Sequence, residues 1–262
     1  MLWKLRSPAI EILGTGYYHP VLPLIPEADR EEQIMRWFGI ARHLFDGQHF
    51  NGFWPPEMGF SMEMIPMLKR LGFRYVLVDS ERVEAITPMS WQELRDRPHI
   101  ATYNGAEIII IVRDSAIYNA NEYGMDPIWF INEVVKRTRN CGFPALITTG
   151  TDGENGGWFR NSHWSSNFWG AFYQPLMDRV REGSAGLSTV FIQEYLDRYG
   201  AVGEVMVHAG AWNTGDHDGM GFTQWTGSQD QKDALQRVAE VSKAIHGMRW
   251  QQGEKGWPDH ET

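Results

Sequence analysis

The chain has 262 residues, a length that suits one large α/β domain or one domain with a helical extension. Hydrophobic residues make up 42% and charged residues 22%, which is typical of a globular protein. Its 24 basic and 33 acidic side chains give a formal net charge of −9, which argues against nucleic acid as the main partner because phosphate binding requires a basic face. No run approaches ~20 uninterrupted apolar residues, so no membrane span is predicted. No apolar run follows Lys4 and Arg6, so we expect no signal peptide. The single cysteine, Cys141, cannot form a disulfide within the chain, which fits a reducing cytoplasm.

Short apolar runs alternate with amphipathic segments, which favours a parallel α/β sheet or barrel. Strands are predicted at residues 10–13, 52–54, 75–78, 107–112, 145–149 and 205–207. Helices are predicted from residue 29 to 45, from Pro66 to a left-handed C-cap at Gly72, and at 128–139, 175–181, 189–198 and 228–246. The helices at 29 and 228 begin with the spacing of a capping box. We expect a barrel region over residues 1–200 and a C-terminal helical segment over residues 201–262.

Aromatic residues are abundant, with 12 Trp, 9 Tyr and 13 Phe, and the Trp residues cluster in polar, glycine-rich segments. Flat aromatic faces beside hydrogen-bonding groups suit sugar rings, whose C–H faces are apolar and whose rims carry hydroxyls. The alternative is that the Trp side chains fill junctions between loops and helices. Residues 150–172 show no periodicity and are predicted to form a functional loop.

Three segments follow predicted strands and combine aromatic residues with an ionisable group: residues 16–20, 53–57 and 149–158. In parallel α/β barrels, reactive groups stand at the carboxyl ends of the strands. Glu57 is the strongest candidate for a reactive group, because it lies between two prolines and an apolar run and has almost no charged neighbours in the sequence. Rigid, apolar surroundings can fix a carboxylate in one position. Alternatively, Glu57 caps the following helix or pairs with an arginine.

Asp152 and Glu154 flank Gly153 directly after a predicted strand. Cleavage of a glycoside needs two carboxyl groups across the scissile bond, and Glu57 and Asp152 supply such a pair from two separate strand ends. The alternatives are an acidic surface turn or a calcium-like oxygen cluster, although the further Asp or Asn positions of a calcium loop are missing.

The histidines give little support for a metal centre. His19 follows two tyrosines at a strand end, where a structural role and a catalytic role are both open. No other histidine belongs to a His-x-x-x-His or Glu-x-x-His pair, so we predict no metal site. The chain also has no serine nucleophile elbow, phosphate loop or dinucleotide fingerprint, and we predict no cofactor.

Three runs carry a resemblance to a known family: GTGYYHP at 14–20, GFWPPE at 52–57 and TDGENGGW at 151–158. In this order they resemble the Gly-Gly-aromatic-Tyr-Glu-Pro, Gly-x-Trp-Leu-x-Glu and Asp-Asp-Gly-Glu-x-x-Gly blocks of glycoside hydrolase family 57. That family comprises α-amylases, 4-α-glucanotransferases and glucan-branching enzymes. A weaker stretch, from His208 to Trp225, is similar to the family's last block.

The resemblance implies an incomplete (β/α)7 barrel with C-terminal helices, α-glucan substrates, no essential metal and retention of anomeric configuration. It implies that Glu57 is the nucleophile and that Asp152 is the general acid/base. The residues that it implies for substrate binding are Tyr18, His19, Trp54, Glu154, Trp158, Trp212, His217 and Trp225. Which glucan is used, the choice among hydrolysis, transfer and branching, and the oligomeric state stay open.

Two departures from the family pattern bear on activity. His19 stands where the family has Glu after the aromatic pair. The family's first block, a His-x-Pro on the first barrel strand, belongs upstream of Glu11, so we expect either a truncated form or a barrel without its first strand, whose edge needs a partner.

Two other functions remain open from the sequence. One is a catalytically inactive carbohydrate-binding protein on the same barrel. The other is a metal-dependent deacetylase or mannosidase-like enzyme that binds zinc through His19 and Asp152.

Overall fold

The computed structural model describes residues 9–45, 49–117, 126–150, 163–212 and 221–252. Helices and strands alternate along the chain in a mixed α/β arrangement. In chain order the elements are α1 (Glu27–Leu44), β1 (Gly52–Phe53), α2 (Ile65–Arg70), β2 (Tyr75–Asp79), β3 (Val83–Ala85), α3 (Trp91–Asp96), β4 (His99–Tyr103), β5 (Ala106–Arg113), α4 (Pro127–Thr138), a π-helix (Phe168–Tyr173), α5 (Gln174–Arg181), α6 (Ile192–Tyr199), β6 (Val205–Val207), α7 (Thr223–Thr226) and α8 (Gln229–Gln252). None of the helices in these ranges is long and apolar enough to cross a membrane.

Two sheets are present in the described ranges, one of four strands in the order β1-β2-β5-β4 and one formed by β3 and β6. Strands β1 and β2 run parallel, with Gly52 opposite Tyr75 and Phe53 opposite Val76. The strand predicted at residues 10–13 is reduced to a parallel bridge between Gly14 and Phe53. Likewise, the strand predicted at 145–149 pairs with β5 only through a parallel bridge at Thr148.

Helix α1 begins at Glu27, two residues before the predicted start, so the capping box predicted at Asp29 is wrong. The carbonyl of Pro26, the N-cap, already accepts from the N–H groups of Asp29 and Arg30. Glu27 and Asp29 lie in the first turn, and Arg42 and His43 lie in the last, which matches the sign of the helix dipole at both ends. Its inner face buries Ile34, Phe38 and Ala41.

The chain divides into two compact units, which interleave along the sequence. Unit 1 comprises residues 1–78, 102–108 and 207–262, and unit 2 comprises residues 79–101 and 109–206. The core of unit 1 is aromatic: Phe73 stacks on Phe38 at 5.5 Å and packs on Phe53 at 4.9 Å between ring centroids. Aromatic pairs of this kind contribute stability in addition to that gained by burying their apolar surface.

Buried charges hold unit 2 together around the end of β5. Arg113, 1% exposed, donates to the carboxylate of Asp79 at 2.5 Å and to the carbonyl of Gly150 at 3.0 Å. The next residue, Asp114, accepts from Arg137 at 2.9 Å, and its backbone N–H donates to the carbonyl of Thr148 at 2.8 Å. These contacts fix residues 148–150 against the end of β5. Gly150 directly precedes the run that begins at Thr151.

Gly52 allows β1 to approach β2 more closely than any other residue would. A Cβ at this position would lie 2.3 Å from the ring of Tyr75, which is fully buried and donates a 2.6 Å hydrogen bond to Glu11. Burial and the neighbouring Glu11 carboxylate both raise the pKa of the Tyr75 hydroxyl, so it remains a donor at neutral pH.

We therefore expect Gly52→Ala to lower the free energy of unfolding by about 1–3 kcal/mol, because the added methyl group overpacks the buried ring. Gly39→Ala is the matched control. Gly39 is an exposed position within α1 where a Cβ meets nothing within 4 Å. There the substitution should stabilise the protein by about 0.5–1 kcal/mol. Urea unfolding of both variants measures the difference, and equal effects would contradict the close approach of β1 and β2.

Asp96 makes the stability of unit 2 depend on pH. Its side chain is 3% exposed, and burial together with the charge of Asp114 raises its pKa from 3.8 to about 6. Between these two values the folded state holds a proton that the unfolded state has released. The contribution of Asp96 to stability is therefore full below about pH 4 and is lost as the pH rises to about 6.

Replacing Asp96 by Asn mimics the protonated form at every pH. We expect Asp96→Asn to be more stable than the parent protein at pH 7, by up to about 3 kcal/mol, and to differ little from it at pH 4. Urea unfolding at both pH values measures this. If the free energies of unfolding of Asp96→Asn and the parent protein differ by the same amount at pH 4 and pH 7, the raised pKa of Asp96 is contradicted.

Candidate functional site

A tight turn over Gly16–His19 presents the first candidate side chain in unit 1. The N–H of His19 donates to the carbonyl of Gly16 at 3.2 Å, and His19 adopts a left-handed backbone with φ of 55°. Gly16 fits between two prolines, because a Cβ there would lie 3.2 Å from both Pro20 and Pro56. This close approach brings the turn against the segment that carries Glu57.

Helix α1 anchors the same turn through one glutamine. The N–H of Tyr17 donates to the backbone carbonyl of Gln33 at 3.1 Å, and the N–H of Tyr18 donates to the side-chain Oε1 of Gln33 at 3.0 Å. Gln33 gave no signal in the sequence, because its role depends on a contact between distant segments. It orients the turn on which His19 stands.

Glu57 lies in a single 3₁₀ turn, Pro56–Met58, whose backbone is unusual. Its φ is 58° and that of Met58 is 52°, so two successive residues other than glycine are left-handed. Such residues cost of order 1–3 kcal/mol each and persist only when their surroundings hold them. Met58 is 1% exposed, and its burial helps to offset the strain.

The carboxylate of Glu57 is held at both oxygens. Oε1 lies 3.0 Å from Nε2 of His19, and Oε2 accepts a 3.0 Å hydrogen bond from the indole N–H of Trp212. The Glu57 side chain is 30% exposed and that of His19 is 60% exposed, so the pair faces solvent. These partners replace the helix cap or arginine that the sequence left open for Glu57. The arrangement gives a positioned, accessible carboxylate.

Trp212 reaches Glu57 because two segments pair in antiparallel fashion. Phe60 and Gly210 exchange backbone hydrogen bonds of 2.9 and 3.0 Å, and the N–H of Trp212 donates to the carbonyl of Glu57 at 3.2 Å. Trp212 is only 4% exposed, and its ring meets the edge of Trp54 at 6.0 Å between centroids. Trp212 therefore contacts Glu57 through both its indole and its backbone N–H, and the substrate contact that the sequence predicts for Trp212 stays a prediction.

The other candidate residues are dispersed or lie outside the described ranges. Tyr18 is 68% exposed and lines a groove of about 580 Å³ between α1 and α8, together with charged residues such as Arg36 and Arg237. Trp225 is half-buried in α7. The remaining candidates, Asp152, Glu154, Trp158 and His217, lie outside the described residues. No cluster of three or more His, Cys, Asp or Glu side chains with metal-binding geometry occurs within the described ranges.

The model of glycosyl hydrolase family 57 matches residues 5–208 of the chain. The chain belongs to this family. An α-amylase from Pyrococcus horikoshii is 33% identical over 107 residues, a match that covers 41% of this chain and 16% of that relative. The chain thus spans less than a fifth of the length of the curated relatives that it matches.

Solved structures share the fold. A 4-α-glucanotransferase from Thermococcus litoralis aligns with a TM-score of 0.64 and 21% identity, over 81% of this chain and 31% of its own. A branching enzyme of this family from Pyrococcus horikoshii aligns with a TM-score of 0.62 and 19% identity, over 80% of this chain and 49% of its own. These likenesses agree with the mixed α/β architecture.

The contact between Trp212 and Glu57 predicts energetic coupling between the two side chains. Trp212→Phe keeps an aromatic ring but removes the donor, and Glu57→Gln removes the charge that the donor meets. In a double-mutant cycle we expect a coupling free energy of about 0.5–1.5 kcal/mol in urea unfolding. A cycle of Glu57→Gln with Trp225→Phe is the control. Purely additive effects of Trp212→Phe and Glu57→Gln would contradict the hydrogen bond.

Proposed function

We propose that the chain is the barrel region of a retaining glycoside hydrolase or glucan transferase that acts on α-glucans, with Glu57 as nucleophile. The observation that carries the proposal is the geometry of Glu57. Its carboxylate is accessible, both of its oxygens have fixed partners, and its backbone is held in a strained conformation. A nucleophile must be oriented before the substrate arrives, and neighbouring donors achieve this.

In the proposed mechanism one oxygen of Glu57 attacks the anomeric carbon while Asp152 protonates the leaving oxygen. Asp152 then removes a proton from a water molecule or from an acceptor sugar hydroxyl, which attacks the glycosyl-enzyme intermediate. Double displacement requires the two carboxyl groups to be about 5–5.5 Å apart. Membership of the family supports this assignment, together with the position of Asp152 in the TDGENGGW run.

The hydrogen bonds to Glu57 have defined roles in this mechanism. The indole N–H of Trp212 holds Oε2 in place, so that the other oxygen is presented to the substrate. His19 is mostly exposed and lies beside the reacting oxygen, where its ring can contact sugar hydroxyls. An incomplete (β/α)7 barrel and the α-glucan specificity belong to the same proposal. So do the substrate contacts of Tyr18, Trp54, Glu154, Trp158, Trp212, His217 and Trp225. The family's hydrolases, transferases and branching enzymes differ in whether water or a sugar hydroxyl is the acceptor.

Replacing Glu57 by Gln should abolish turnover of a maltooligosaccharide, by roughly 10⁴-fold or more, and should leave sugar binding largely intact because the amide keeps the shape of the carboxylate. The matched control is Glu63→Gln. Glu63 is an exposed carboxylate six residues along the chain that pairs with Arg30. Product anomers followed by NMR report retention or inversion. If the parent protein binds maltooligosaccharides but never converts them, the enzyme assignment fails and a carbohydrate-binding function replaces it.

A further inference from the structure

Unit 2 contains an open cavity of about 740 Å³ built from residues other than those around Glu57. It lies among residues 145–150, α4, the π-helix, α5 and the loop over 186–190. Ligand-binding pockets typically measure about 300–1,000 Å³. The cavity therefore has room for a small ligand or for one part of a longer one.

The π-helix supplies an aromatic wall to this cavity. Its inner residues, Phe168 and Phe172, pack into the core of unit 2, where Phe172 meets Phe130 edge-on at 5.5 Å. Its outer residues, Trp169 and Tyr173, also line the cavity, yet they are 42% and 43% exposed. The two outer rings contact each other edge-to-face at 5.5 Å between centroids. They form a partly exposed surface with the flat apolar faces that a sugar ring requires.

Local sequence enforces the wide turn that places these rings. The side chain of Asn167 accepts a 2.8 Å hydrogen bond from the N–H of Gly170. A Cβ at Gly170 would lie 1.9 Å from the carbonyl oxygen of Trp164, so only glycine fits there. π-Helical turns are rare and frequently occur at functional sites. The exposed rings of Trp169 and Tyr173 therefore stand on a specified backbone.

The polar groups of the cavity select the chemistry of the ligand. None of the described residues that line it carries a charged side chain. Thr149, Ser188 and Thr189 contribute hydroxyls to its lining, and Ser188 and Thr189 are exposed. A purely apolar ligand would leave these hydroxyls unused, and an anionic ligand would lack a cation. Aromatic faces combined with hydroxyls and no charged side chain fit a neutral, hydroxyl-rich ligand.

We propose that this cavity is a further carbohydrate-binding site, in which Trp169 and Tyr173 stack on the sugar units of an α-glucan while Thr149, Ser188 and Thr189 bind their hydroxyls. The nature of the glucan rests on the proposed function. The site binds substrate without taking part in bond cleavage. It contributes glucan affinity of its own, through the two aromatic rings and the hydroxyls that line the cavity.

Binding of maltoheptaose, measured by isothermal titration calorimetry in the Glu57→Gln background, tests the site without turnover. Trp169→Ala should weaken binding roughly tenfold, as loss of one aromatic contact of about 1.4 kcal/mol would do. Thr189→Val, a conservative change at an exposed rim position, should weaken it about threefold. Trp129→Ala is the matched control. Trp129 is 44% exposed on α4 and does not line the cavity, so its replacement should leave the Kd unchanged.

The outcomes separate this site from the proposed function. If Trp169→Ala and Thr189→Val both bind maltoheptaose as tightly as Trp129→Ala does, the cavity is not a sugar site, whatever the turnover of the parent protein. Turnover by the Glu57→Gln protein would contradict the proposed function alone, because the comparison of Trp169→Ala with Trp129→Ala reports on the cavity whichever group performs catalysis. Absence of both binding and turnover in the parent protein would overturn both proposals.

Discussion

The candidate site depends on one constraint, the fixed orientation of the Glu57 carboxylate. Glu57 and Met58 occupy left-handed backbone conformations, which side chains other than glycine adopt only at a cost. Three contacts stabilise this arrangement: Gly16 lets the His19 turn approach, Met58 is buried, and the pairing of Phe60 with Gly210 brings Trp212 alongside. The free energy of folding is thereby used to hold one carboxylate in a position that the local sequence alone does not favour.

The sequence predicted the position of Glu57 at the end of a strand, but not the hydrogen-bond partners of its carboxylate. Glu57 follows the short β1 strand, as its pattern predicts, because prolines and an apolar run mark that boundary. The hydrogen bond from Trp212 could not be predicted, since it joins residues 155 apart in the chain through backbone pairing between two irregular segments. Trp212 is only 4% exposed, and composition carries no information on which tryptophans are buried.

Local sequence patterns predicted some strands of the four-stranded sheet and missed another. The buried runs that became β2 and β5 were predicted, because continuous apolar residues mark a strand covered on both faces. Strand β4 was missed, although Asn104-Gly105 between Tyr103 and Ala106 is a strong hairpin signal and both residues have positive φ. The runs at 10–13 and 145–149 form single bridges, since strand length depends on the neighbours available for pairing as well as on propensity.

Charge placement explains why the departure at residue 19 is compatible with the site. A glutamate there, as in the family pattern, would place a second negative charge close to Oε1 of Glu57. At a separation near 3.0 Å two like charges repel strongly unless a proton or a cation lies between them. A histidine can donate a hydrogen bond to the same oxygen instead, so the carboxylate of Glu57 is oriented by attraction. Histidine at this position therefore gives the proposed nucleophile a hydrogen-bond partner where a glutamate would add a second negative charge.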